Sequence, residues 1–118
     1  MRNNFPPILE HTKRVYKAWI LIERNLPRCE RFGIGQKIDF LFIGLLDILQ
    51  KTSFSPINLK IPLLNQAQTK IDSLRFFIQL CWEIKLISSK QFTAIGQQVE
   101  QIGKMIGGWR KDLIKTSD

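Results

Sequence analysis

The 118-residue, 13.8 kDa chain has room for one domain and one core. Hydrophobic residues make up 44% and charged residues 24%, an ordinary globular composition that excludes a disordered chain; Lys, Asp, Gln or Gly interrupts every apolar stretch before it reaches the roughly 18 residues a membrane-spanning helix needs. Eighteen Lys and Arg against ten Asp and Glu give a net charge of +8 and a pI near 9.9, which makes polyanions the natural partners of the surface.

The first predicted helix covers residues 9–26. Val15, Trp19, Ile22 and Leu26 recur at spacings of one helical face, and Lys13, Lys17 and Arg24 fall on the opposite face. Pro27 ends it, and residues 28–35 read as a turn. The second helix, residues 34–54, is apolar almost all round, with Phe40, Leu41, Phe42 and Ile43 in succession. A helix apolar on more than one face must be covered on more than one face, so Phe40, Phe42 and Ile43 are candidates for a subunit interface.

Residues 53–61, with Ser55, Pro56 and Asn58, read as the one extended loop, after which Pro62 suits the first turn of a third helix over residues 62–87. Its seam is Ala67, Ile71, Leu74, Ile78 and Cys81. Ser88 followed by Gln91 forms a capping-box pattern for the fourth helix, residues 89–115. There Phe92, Ile95, Val99, Ile102, Ile106, Trp109 and Leu113 keep alternating spacings of three and four, the clearest periodicity in the chain. No segment reads as a strand. The expected fold is all-α, a single domain over residues 1–118 built as an antiparallel up-down-up-down four-helix bundle.

Little of the chemistry that enzymes use is present. His11 is the single histidine, the carboxylates are scattered, and no nucleophile elbow, phosphate loop or zinc motif occurs, so neither enzymatic activity nor a cofactor is expected. Cys29 and Cys81 have no spacing suited to a metal or a disulfide framework, and Cys81 reads as a small core residue. Gly103 and Gly107, with Gly108 adjacent, permit either a close backbone approach or a frayed helix end. Trp19 and Trp109 lie on apolar seams, where core packing takes precedence over stacking on bases.

The basic residues carry more information. Residues 1–31 hold 7 basic and 3 acidic side chains, residues 32–103 hold 7 and 5, and residues 104–118 hold 4 and 2. In an up-down-up-down bundle the start of helix one lies beside the end of helix four, so Lys13, Arg14 and Lys17 are expected to approach Arg110, Lys111 and Lys115, with Lys104 and Arg24 on the same helices. Arg28 and Arg31 mark a second patch at the opposite end. Such surfaces bind phosphate backbones by counterion release, with steep salt dependence and little sequence preference. The first residues, MRNNFPPILEHTKR, lack the apolar block of a signal peptide, and a cytoplasmic location with no membrane attachment is expected.

Two segments resemble a known family: PRCERFGIGQKIDFLFIGLLDILQKT at residues 27–52 and EQIGKMIGGWRK at residues 100–111. Pro27, Arg28, Arg31, Gly35 and Gln36 match one motif of the bAvd-like four-helix-bundle family, and Ile102, Gly103, Gly107, Gly108 and Trp109 match the other. That family includes the accessory variability determinant of diversity-generating retroelements and related proteins encoded in intervening sequences of ribosomal RNA genes. The resemblance implies a homopentameric barrel of bundles with a basic surface. It also implies a reverse transcriptase and its template RNA as partners in mutagenic complementary-DNA synthesis, with no catalytic residue from this chain. Two other readings share the fold: a ribosomal-RNA intervening-sequence protein, and a purely structural homo-oligomer whose charge aids solubility.

Overall fold

The computed structural model describes residues 7–117, so Arg2 and Asp118, both counted in the charge, lie outside the described residues. Four long helices, α1 (Pro7–Glu23), α2 (Gln36–Phe54), α3 (Ile57–Glu83) and α4 (Ser89–Ser117), make up the bundle, with no strand among the described residues. Cross-helix contacts give the directions. Tyr16 of α1 meets Asp39 and Phe42 of α2 while Glu23 lies by Gly35; Lys60 of α3 reaches Thr52 and Lys70 lies by Gly44; Trp82 stacks on Phe92 of α4 while Lys60 sits over Trp109. Each consecutive pair is therefore antiparallel, and α1 also packs against α4, which closes the ring.

The predicted stripes are the core. Val15 and Trp19 of α1, all five seam residues of α3, and Ile95, Val99, Ile102 and Ile106 of α4 are buried, with Phe92, Trp109 and Leu113 half-buried at the edge. Helix α2 contributes Ile38, Leu41, Phe42, Leu45 and Leu49. Phe42 is fully buried inside its own subunit, which removes it from the interface expected at Phe40, Phe42 and Ile43. It lies against Tyr16, with ring centroids 5.7 Å apart, and burying a side chain of that size contributes about 2–3 kcal/mol. Phe40 and Ile43 do face outward, 58% and 45% exposed.

Residues 28–35, expected as a turn, are helical. Pro27 is extended at ψ 150° and lacks an N–H, so it ends the connection rather than α1, and the chain turns at once into the helical turn Arg28–Glu30 and the π-helical stretch Arg31–Gly35. α1 itself stops at Glu23. Gly33, at φ −107° and ψ −105°, kinks the π-helical stretch; Gly35 is buried, and a Cβ there would lie 3.1 Å from the Glu30 carbonyl oxygen, so the bend needs a residue with no side chain.

The extended loop expected at residues 53–61 is also corrected, because only Ser55 and Pro56 are extended and α3 already starts at Ile57. Pro62 thus lies inside the helix rather than in its first turn. The early start positions Lys60 to donate to the Thr52 carbonyl oxygen at 2.7 Å, a shorter bond than the one this oxygen also accepts from the Ser55 N–H at 3.3 Å at the end of α2. Pro62 has no N–H to donate to the carbonyl four residues back, that of Asn58, and Asn58 is exposed. At its other end α3 stops at Glu83, short of the expected residue 87: Lys85 takes φ 64°, and the Leu86 N–H donates to the Cys81 carbonyl at 2.8 Å in a Schellman closure. The capping box that opens α4 forms as the sequence predicts. The Ser88 N–H donates to Gln91 Oε1 at 2.9 Å, and the Gln91 N–H donates to Ser88 Oγ at 3.0 Å.

Candidate nucleic-acid interface

All ten candidate basic residues are exposed. Lys13 pairs with Glu10 at 3.3 Å and Arg14 donates to His11 Nδ1 at 3.4 Å; Lys17 projects from the same outer face of α1. On α4, Lys104, Lys111 and Lys115 are spaced seven and four residues apart, so they form one outward stripe opposite Ile102 and Ile106, with Arg110 about 100° round from Lys111. Because α1 and α4 are antiparallel neighbours, Lys13, Arg14 and Lys17 lie toward the same end as Arg110, Lys111 and Lys115. No hydrogen bond or ion pair joins the two sets among the described residues.

The second patch is better defined than expected. Arg24, which sequence reasoning placed with the α1 stripe, joins Arg28 and Arg31 around a groove of about 710 Å³ at the α1–α2 connection. Tyr16, Ile20, Glu23, Phe32, Gln36 and Asp39 complete its lining. Phe32, 70% exposed, is a residue that the sequence reading passed over; the Arg28 guanidinium carbon lies 6.0 Å from its ring centroid. The available signal was an aromatic between basic residues in a segment with no apolar periodicity.

Negative charge in the groove is turned inward. The Tyr16 hydroxyl donates to Asp39 Oδ1 at 2.7 Å, and burial, followed by that bond and the Asp39 charge, pushes its pKa up to about 12. Glu23 is also raised above the ordinary carboxylate value, first by burial and then by the charge of Asp39 and a hydrogen bond with it, while Arg31 pulls the other way. These carboxyl groups therefore answer mainly to each other and to Tyr16. Among the described residues, Lys13 is the one member of the ten basic candidates engaged in an ion pair.

Other features add no chemistry of their own. Among the described residues no group of three or more His, Cys, Asp or Glu is placed to hold a metal ion, and no helix is long and apolar enough to cross a membrane. Both cysteines are free, Cys29 exposed and Cys81 buried, where burial pushes its thiol up to about 11. The C-terminal glycines divide: Gly103 is buried against the side chains of Arg75 and Ile71 of α3, while Gly107 and Gly108 face open space on an unbroken helix, so neither a close backbone contact nor a frayed end is seen there.

No curated protein matches the chain. The bAvd-like family does, over residues 8–113, a stretch that takes in nearly all of the four helices. With its helices in that order and its outer faces basic, this chain belongs to the bAvd-like family.

Proposed function

We propose that the chain is a non-catalytic, nucleic-acid-binding accessory subunit of a diversity-generating retroelement. In this reading it acts in the cytoplasm as a homo-oligomer, pentameric as the family resemblance implies, and binds the element's reverse transcriptase and template RNA. The polymerase performs complementary-DNA synthesis, and this subunit holds the nucleic acid by its backbone. The observation that carries the reading is the set of ten exposed cations, of which only Lys13 lies within ion-pair distance of a carboxylate among the described residues. Unpaired cations on a folded surface repel one another, and a phosphate backbone relieves that repulsion while releasing counterions. Copies around an oligomer multiply the contacts by avidity.

The test is binding of labelled RNA and DNA to the purified chain across a salt series, together with retention of the neighbouring reverse transcriptase. Affinity should fall linearly in log–log form, with a slope of about −0.7 to −0.9 per phosphate neutralised. Reversal of Lys13, Arg14, Lys17, Arg110 and Lys111 to Glu should abolish binding with assembly intact. Undiminished retention by that variant would refute the assignment of the basic surface.

A further inference from the structure

We infer that the groove at the α1–α2 connection receives an unpaired base of single-stranded nucleic acid, stacked on Phe32 with the flanking phosphates on Arg24, Arg28 and Arg31; this rests on the nucleic-acid reading above and gives it a specific site. Phe32 differs from the other exposed aromatic side chains in its setting. Phe40 and Phe76 stand on the outer faces of α2 and α3, and Phe54 and Trp82 line grooves that each hold a single cation, Lys51 and Lys85, whereas Phe32 forms part of a concave wall that also holds three arginines. An exposed ring gains no core burial, but it offers a face on which any base can stack, and a guanidinium beside it supplies both phosphate pairing and cation–π contact.

The charge distribution orients such a ligand. Glu23 and Asp39 on the lining repel phosphate from the interior, so the anionic backbone belongs on the arginines. Carboxylates do accept hydrogen bonds from the amino groups on base edges, and Gln36 can both donate and accept, so the interior suits a base edge. The volume, about 710 Å³, falls within the range of small-ligand sites, about 300–1,000 Å³. A paired base in a duplex keeps both faces stacked and cannot use Phe32. The site therefore selects unpaired strands, whereas the lysine stripes on α1 and α4 do not discriminate.

The experiment compares the full chain with Phe32→Ala and Phe32→Trp in anisotropy titrations with short labelled single-stranded RNA, single-stranded DNA and duplex DNA, with assembly checked by size-exclusion chromatography. Phe32→Ala should weaken binding of the single strands about tenfold. Duplex affinity and assembly should stay unchanged. Phe32→Trp should restore single-strand binding and show fluorescence quenching on titration. The RNA and DNA arms report whether the 2′-hydroxyl contributes. Equal losses on single strand and duplex, no loss on either, or a changed assembly state in Phe32→Ala would overturn the inference while leaving charge-based binding in place. A wild-type chain that binds none of the three probes would bring down that broader reading and this one with it.

Discussion

Replacing the three C-terminal glycines by alanine one at a time separates a glycine packed against a neighbouring helix from two that face open space. In a helix interior Gly is about 1 kcal/mol less favourable than Ala. Nothing lies within 4 Å of a Cβ built at Gly107 or Gly108, so Gly107→Ala and Gly108→Ala should each recover about that amount. In a domain of this size that corresponds to a rise in Tm of about 4 °C. At Gly103 the added methyl meets Arg75 Nη2 at 3.0 Å and Ile71 Cγ2 at 3.4 Å. The guanidinium is the far end of a flexible chain, but Asp72, at 2.7 Å, and Glu100 hold it in place. Displacing it loses exposed pairs worth up to about 1 kcal/mol, which offsets the gain in helix propensity. Gly103→Ala should therefore melt close to wild type and about 4 °C below the other two. Thermal melts followed by helical circular dichroism, with denaturant titration as a check, measure the difference. A Gly107→Ala or Gly108→Ala variant that melts no higher than Gly103→Ala would refute the reasoning, because it would mean that the bare helix backbone is covered in the folded protein.

Two further predictions concern polar groups. Lys60→Ala removes the donor to the Thr52 carbonyl and the cation 5.8 Å from the Trp109 ring, and should cost about 1–2 kcal/mol in denaturant titration. Lys51→Ala, which breaks only the exposed pair with Asp47, should cost well under that, and similar losses in the two variants would remove the capping role of Lys60. Glu23→Gln tests the acidic lining. A carboxyl with a raised pKa in the fold stabilises fully below its ordinary value of 4.5, and that contribution is lost as pH rises through the folded value. The variant should melt above wild type at neutral pH, with the gap closing toward pH 4.5; a gap that widens on acidification would reverse the sign of the argument.

Helix existence and core faces were legible because amphipathic spacing survives folding unchanged: every seam residue named on α3 is buried. The Ser88–Gln91 cap was legible for a similar reason, since both partners are local. Boundaries set by tertiary contacts were not. The left-handed position that ends α3 is occupied by Lys85 rather than Gly, so nothing in the composition marks it. Between two prolines either can open a helix. Pro56 does so because a start at Ile57 brings Lys60 under the end of α2, a contact that no local pattern announces. The same limit separates Phe42 from Phe40. On a helix apolar all round, periodicity cannot say which phenylalanine faces Tyr16, and the candidate interface included one residue that belongs to the subunit's own core.

The positive surface follows from how the few carboxylates are used. Asp72 and Glu100 both serve Arg75 at the α3–α4 contact, Asp47 serves Lys51 on its own helix, and Glu23 and Asp39 are held together beside Tyr16. These acids stand on α2, at the α3–α4 contact or in the groove beside Arg24, Arg28 and Arg31, whereas Glu10, Glu30 and Asp112 lie in sequence among the cations of α1, of the Arg28–Arg31 turn and of α4, and of these three Glu10 forms an ion pair, with Lys13. An i, i+4 pair is worth about 0.3–0.5 kcal/mol and like charges cost a similar amount, so these three acids offset only part of the repulsion among the ten exposed cations. On the proposed function, the repulsion that remains is a cost that a bound polyanion would offset.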